Sequence, residues 1–177
     1  MLLPVSEKKF GFKRKPPKPE FLPSPPEKGG SVSKQDDAMG LVHAKIELIN
    51  HRDLWRFEEG LISEDQVRHM EVEFLVDTGA YMLSINDTIR EQLGLPLLET
   101  RIAELANGEN IECDVVGPVE IRYANRRTWT PALVLPGNAE PLLGAIPMED
   151  MDLVVELRTQ RLIVNPAHPI IPQTSLK

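Results

Sequence analysis

One cysteine, Cys113, in 177 residues leaves no partner for an internal disulfide and no thiolate cluster for a metal. Aromatic residues are scarce, at 5%, in a composition otherwise ordinary for a soluble globular chain. No apolar run approaches the roughly 20 residues that cross a bilayer as a helix. The opening residues, Met1 to Lys9, hold no apolar stretch long enough for a secretory signal. His43, His51, His69 and His168 lack metal-ligand spacing, so neither a metal nor a cofactor is expected. Positive charge is short as well. Beyond residue 40, twelve Lys and Arg stand against twenty-two Asp and Glu. So acidic a body argues against nucleic acid as a partner, because neutralising phosphates takes Lys and Arg. Together these shortages predict a cytoplasmic protein with no membrane segment.

What the chain does have is unevenly spread. Residues 1–40 carry eight Lys and Arg against five Asp and Glu, and prolines recur from Pro4 to Pro26. Those prolines interrupt helices and central strands, and so little apolar surface cannot offset the entropy of ordering. The segment reads as a Pro/Lys-rich flexible arm. Lys13 to Lys18 could serve as a basic patch for an acidic partner, and the arm could also act as a propeptide. Residues 41–166 read as one domain and residues 167–177 as a C-terminal tail.

Within the domain, Leu41 to Ile49 alternates as a strand does. The polar stretch from Asn50 to Ser63 reads as a loop or short helical insertion. From Gln66 the period of two returns, with Met70, Val72, Phe74 and Val76 on one face and Glu71, Glu73, Leu75 and Asp77 on the other. A helix starts near Asn86, capped by Ser84 or Asn86; Gly94 closes it and Pro96 prevents its continuation. Arg101 to Leu105 and Glu109 to Val116 flank an Asn107-Gly108 hairpin turn. Val119 to Tyr123 and Thr128 to Leu135 form a second pair. Pro141 to Ala145 is a short buried strand ending in glycine, Ile146 to Met151 a short helix, and Leu153 to Val164 a last hairpin. About eight short strands and one or two short helices make an all-β barrel or sandwich.

The strand Val72 to Val76 runs straight into Asp77-Thr78-Gly79-Ala80. A carboxylate buried at a strand end is costly unless it is paired, so such an acid invites a chemical role. Leu75-Val76-Asp77-Thr78-Gly79-Ala80 resembles the active-site signature of the retropepsin-like (retroviral-type, clan AA) aspartic proteases. Three further features agree in order and spacing. The Asn107-Gly108 hairpin stands where that family has its flap, Leu142-Leu143-Gly144 matches its late apolar-apolar-Gly element, and a short helix and an apolar strand follow. The resemblance covers residues 41–166 and is similar to the single-domain bacterial members.

That resemblance implies a retropepsin-like closed β-barrel with one half-site per chain. It implies an aspartic endopeptidase whose water is activated by two carboxylates sharing a proton. With one Asp-Thr-Gly per chain, the second carboxylate must come from a homodimer partner across a twofold axis. Asp77 is then the catalytic residue, and Thr78 and Gly79 support the dyad. Ala80 and Tyr81 line the cleft for a peptide or protein substrate. Leu105, Ala106, Asn107, Gly108 and Glu109 form the flap. Tyr81, the Asn50–Ser63 insertion and the single flap glycine depart from the family pattern. They keep an alternative open: a non-catalytic module of the same fold for dimerisation or peptide binding. The plainest reading of Asp77 is a structural acid in a turn, with Thr78 and Gly79 as turn formers. Cys113 reads as a small buried hydrophobe.

Overall fold

The structure is a computed structural model that describes residues 40–104 and 108–174. The arm expected over residues 1–40 falls, but for Gly40, outside the described residues, as do Leu105, Ala106 and Asn107 of the expected flap and residues 175–177 of the tail.

Strand β1 (His43–Asn50) pairs antiparallel with β2 (His69–Val76), His43 opposite Leu75 and Ile49 opposite His69. The expected faces hold: Ala44, Ile46 and Leu48 are buried with Val72 and Phe74. The insertion between the two strands is helical. Helix α1 (His51–Glu58) takes Asn50 as its N-cap, and a single 3-10 turn follows at Glu64–Gln66. Leu54 is buried, and Asp53 grips Arg68 with two oxygens, at 2.6 and 2.9 Å. Asn50 is itself buried and donates its Nδ2 to the carbonyl of Leu93 at 2.9 Å.

Strand β3 (Leu83–Asn86) leads into α2 (Asp87–Leu93), whose N-cap is Asn86, with its side chain accepting from the Ile89 amide. Ser84, the other candidate cap, is paired within β3 to Leu133 and Leu142. A residue committed to a strand ladder two positions earlier does not reach the first turn. Gly94 closes α2 in the left-handed region at φ 56°.

Strand β4 spans Leu97–Glu104, four residues longer at its start than the sequence pattern predicts. Nearly every residue in it is exposed, so no alternation of buried and exposed positions marks where it begins. Strand β5 (Asn110–Tyr123) is one strand where the sequence reads two. Gly117 and Pro118 sit in an irregularity between Val116 and Val119, and pairing with β6 (Arg126–Leu135) resumes on either side of it. Gly117 has φ 134°, a region that favours glycine. The break matters to the architecture. Before it, β5 pairs with β4 from Asn110 to Val116; after it, the same strand pairs with β1 from Val119 to Arg122.

That second pairing closes the sheet. The order β1-β2-β7-β3-β6-β5 returns to β1 and forms a six-stranded barrel, with β4 extending from β5. Here β7 is the two-residue strand Leu142–Leu143. Helix α3 (Ala145–Asp150) and a separate hairpin of β8 (Leu153–Glu156) and β9 (Arg161–Val164) complete the domain. The core is largely aliphatic around Phe74, with Ile46, Leu48, Leu83, Ile85, Ile121, Leu143 and Met151 likewise all but excluded from solvent. Leu153 and Leu162 carry the last hairpin into it.

The segment after β9 runs along the body through named bonds. The Asp152 carboxylate lies 2.8 Å from Asn165 Nδ2 and from His168 Nδ1 and accepts from the Gln173 amide at 3.0 Å. Buried Arg126 donates to the carbonyls of His168 and Ile170. Among the described residues no helix is long and apolar enough to cross a membrane.

Candidate active site

Asp77 follows the last residue of β2, where that strand runs parallel to β7: Leu75 lies opposite Leu142 and Val76 opposite Leu143. On its other edge β7 meets β3 through Ser84. The chain from Asp77 to Met82 therefore joins two strands that flank β7, and it has to pass around the end of that strand.

Backbone bonds fix its path. The Asp77 amide donates to Leu143 O at 3.1 Å, the Ala145 amide to Ala80 O at 2.8 Å and the Ile146 amide to Tyr81 O at 3.0 Å. The Leu-Leu-Gly element and the first turn of α3 thus serve as the bed of the Asp77 loop. Gly144 shows how close the fit is. A Cβ there would stand 2.4 Å from Met82 O and 2.7 Å from Tyr81 C, closer than real contacts allow.

The loop also closes on itself. Asp77 Oδ1 accepts from the Gly79 amide at 2.8 Å, and Asp77 O accepts from the Ala80 amide at 3.2 Å. A Cβ on Gly79 would lie 3.1 Å from that carboxylate oxygen, so a larger residue would press on the acid. One oxygen of Asp77 is thereby oriented by a backbone donor.

In the single chain Asp77 is half-buried rather than enclosed, contrary to the expectation of a buried acid. It lies just past the ladder, where a turn replaces the next strand residue as cover. Thr78 and Gly79 are exposed, Ala80 is half-buried, and Tyr81 is 78% exposed.

The hairpin of β4 and β5 has Glu104 opposite Asn110. Of the expected flap, Gly108 and Glu109 are described and exposed; the tip, Leu105 to Asn107, lies outside the described residues. Sequence reasoning missed a contact between this hairpin and the Asp77 loop. Arg101 Nη1 stands 3.9 Å from Met82 Sδ, and Arg101 Nη2 is 2.5 Å from Glu99 Oε1. No pattern in the sequence points to it, because the exposed strand β4 gives no sign of which of its faces turns toward the loop.

Burial pushes the Asp53 carboxyl up, but the hydrogen bonds and charge of Arg68 outweigh it and hold the group below the usual carboxylate range. The Gln173 amide holds Asp152 down, aided by Asn165 and His168 against partial burial. Burial raises the Cys113 thiol, with Asp114 adding to the effect; Cys113 is 2% exposed and fills the role of a small hydrophobe. An open cleft of about 300 Å³ is lined by Asp87, Arg90, Glu112, Cys113, Asp114 and Pro136 among others, and includes no residue of the Asp77 loop. Among the described residues, no group of three or more His, Cys, Asp or Glu side chains converges as metal ligands do.

Comparison with known proteins bears on this loop. Residues 65–146 match the family model described as aspartyl protease, a span that holds β2, the Asp77 loop, the hairpin and β7. No curated protein matches the sequence. Among solved structures, the chain is similar to the retroviral protease-like domain of Ddi1 from Leishmania major, with 13% identity and a TM-score of 0.44, covering 71% of this chain and 90% of that one. It is also similar to a retropepsin-like aspartic protease from Rickettsia conorii, with 19% identity and a TM-score of 0.38, covering 66% and 87%. At such distances the architecture rests on the strand pairing described above.

Proposed function

Because residues 65–146 carry the aspartyl protease pattern, we propose that the chain is an aspartic endopeptidase active as a homodimer, with Asp77 of each copy forming the catalytic dyad. The observation that carries the reading is the Asp77 loop, strapped to β7 and α3 by three backbone bonds, with its carboxylate oriented by Gly79 and left half-exposed. A rigid loop that presents an acid and does not consume it in a salt bridge suits general acid–base work.

Two such acids brought face to face cannot both ionise easily, so they hold one proton between them. The ionised carboxylate takes a proton from a water as its oxygen attacks the peptide carbonyl carbon. The protonated carboxyl gives its proton to the carbonyl oxygen. Collapse of the tetrahedral species then sends a proton to the departing amine. Exposed Thr78 is free to brace the dyad from either copy. Ala80 and Tyr81 wall the cleft, and the described end of the β4–β5 hairpin, at Gly108 and Glu109, covers an extended peptide and keeps water out.

The test is cleavage of an unfolded protein between pH 4 and 7 by the full chain and by Asp77→Asn. Loss of at least about 100-fold in rate is expected for the variant, the scale of general acid–base catalysis. Equal cleavage by the two proteins would sink the proposal. The exposure of Tyr81 also suits a second reading, a module of the same fold that binds peptides or dimerises without turnover. That reading predicts peptide binding with no cleavage, and equal affinity for Asp77→Asn.

A further inference from the structure

Strand β4 carries a cation toward the Asp77 loop. Arg101 lies directly opposite Cys113 and Glu99 opposite Val115. Residues opposite one another share a face of the sheet, and both Cys113 and Val115 are buried. Arg101 and Glu99 therefore share the face of the hairpin that carries Cys113 and Val115, with their own side chains left about half-exposed. From there Arg101 reaches the Asp77 loop and sets Nη1 3.9 Å from Met82 Sδ, one residue beyond Tyr81.

The two contacts of this guanidinium are unequal. Glu99 holds Nη2 at 2.5 Å in a charged pair. At Nη1 the neighbour is a thioether, among the weakest acceptors in a protein. A guanidinium presents five donors in a planar fork and binds carboxylates best, by charge-assisted bonds. Glu99 thus fixes the direction of the fork, and the sulfur marks a place that a stronger acceptor would take.

This inference rests on the peptidase reading and names its substrate class. We propose that Arg101 is a specificity-determining residue that selects an acidic side chain, Asp or Glu, in the peptide substrate, its carboxylate taking the place of Met82 Sδ at Nη1. The acidic body repels such a peptide at a distance, but salt screens that repulsion beyond about 8 Å. The selection is made at contact.

The experiment uses the full chain and peptide pairs that differ only by Glu or Gln, with the substitution walked along every position flanking the scissile bond. At one position the wild type is expected to favour the Glu peptide about tenfold or more in kcat/KM, mainly through KM, the scale of a bond to a charged group. Arg101→Met brings the ratio to within about twofold, Arg101→Lys restores part of it, and Arg101→Glu turns the preference toward Lys at that position. Since Arg101→Lys keeps the charge and the stem, it separates recognition from a loss of folding. Wild-type cleavage with no Glu-over-Gln preference at any position, or a preference that survives Arg101→Met, overturns this inference and leaves the peptidase reading in place. Absence of Asp77-dependent cleavage of every peptide overturns both.

Discussion

At Gly144 the Asp77 loop packs tightly on its bed. The atoms that a new Cβ would meet, Met82 O and Tyr81 C, are backbone and cannot swing aside. Gly144→Ala is expected to cost about 1–3 kcal/mol, the range for overpacking a tight site, and a lowered urea midpoint with unchanged m-value would report it. The proposed peptidase activity should fall further than the stability loss explains, because the same shift moves Asp77. The sequence showed both partners of this contact, Asp-Thr-Gly and Leu-Leu-Gly, as separate motifs. Their meeting was not legible, since it joins residues about sixty positions apart through backbone atoms that carry no side-chain signature. Asp77 was legible by its neighbours. Its half-exposure was not, because cover depends on where the chain turns after β2. Arg101 was not legible at all.

Helix α1 shows the same contrast among elements. Asn50 ends β1, caps α1 through the amides of Arg52 and Asp53, and donates to Leu93 O at the end of α2. Asn50→Ala removes a cap worth about 1 kcal/mol and leaves a buried carbonyl short of its donor, at about 1–3 kcal/mol more. Asn50→Asp keeps the cap acceptor but sets a buried carboxylate against the Leu93 carbonyl, so thermal unfolding should place it no higher than Asn50→Ala. The Asp53–Arg68 pair ties α1 to the start of β2, and its acid is held below the usual range. A carboxyl depressed in the folded state adds stability that is fully present above its unfolded pKa, about 4, and is lost as pH falls through the folded value. Urea midpoints should therefore drop below about pH 4. Asp53→Asn should flatten that drop while leaving the share due to Asp152, which is depressed for its own reasons. Strands with one wet and one dry face, β1 and β2, could be read from alternation. The exposed strand β4 could not, nor could the continuity of β5, because Gly-Pro reads as a stop wherever the partner strands are unknown.

At the scale of the whole molecule, the barrel closes by one set of bonds, those between β1 and residues 119–122 of β5. The proposed activity needs two such barrels. Sedimentation should then show a dimer at concentrations where cleavage is seen, and specific activity should fall on dilution as the dimer dissociates. Full activity from a monomer would contradict the shared dyad.

One strand thus has two different attachments. Residues 110–114 of β5 pair with β4 alone, whereas residues 119–122 are held on both edges, by β1 and β6. Amide hydrogens should consequently leave the first stretch by local opening at low free energy. Those of the second should be released only with the barrel as a whole. Exchange measured residue by residue along β5 should step from fast to slow after Asp114, since Val115 and Val116 are already held by both β4 and β6. The outer part of β5, with the β4 residues paired to it, can then open and close many times without loosening the barrel beneath it.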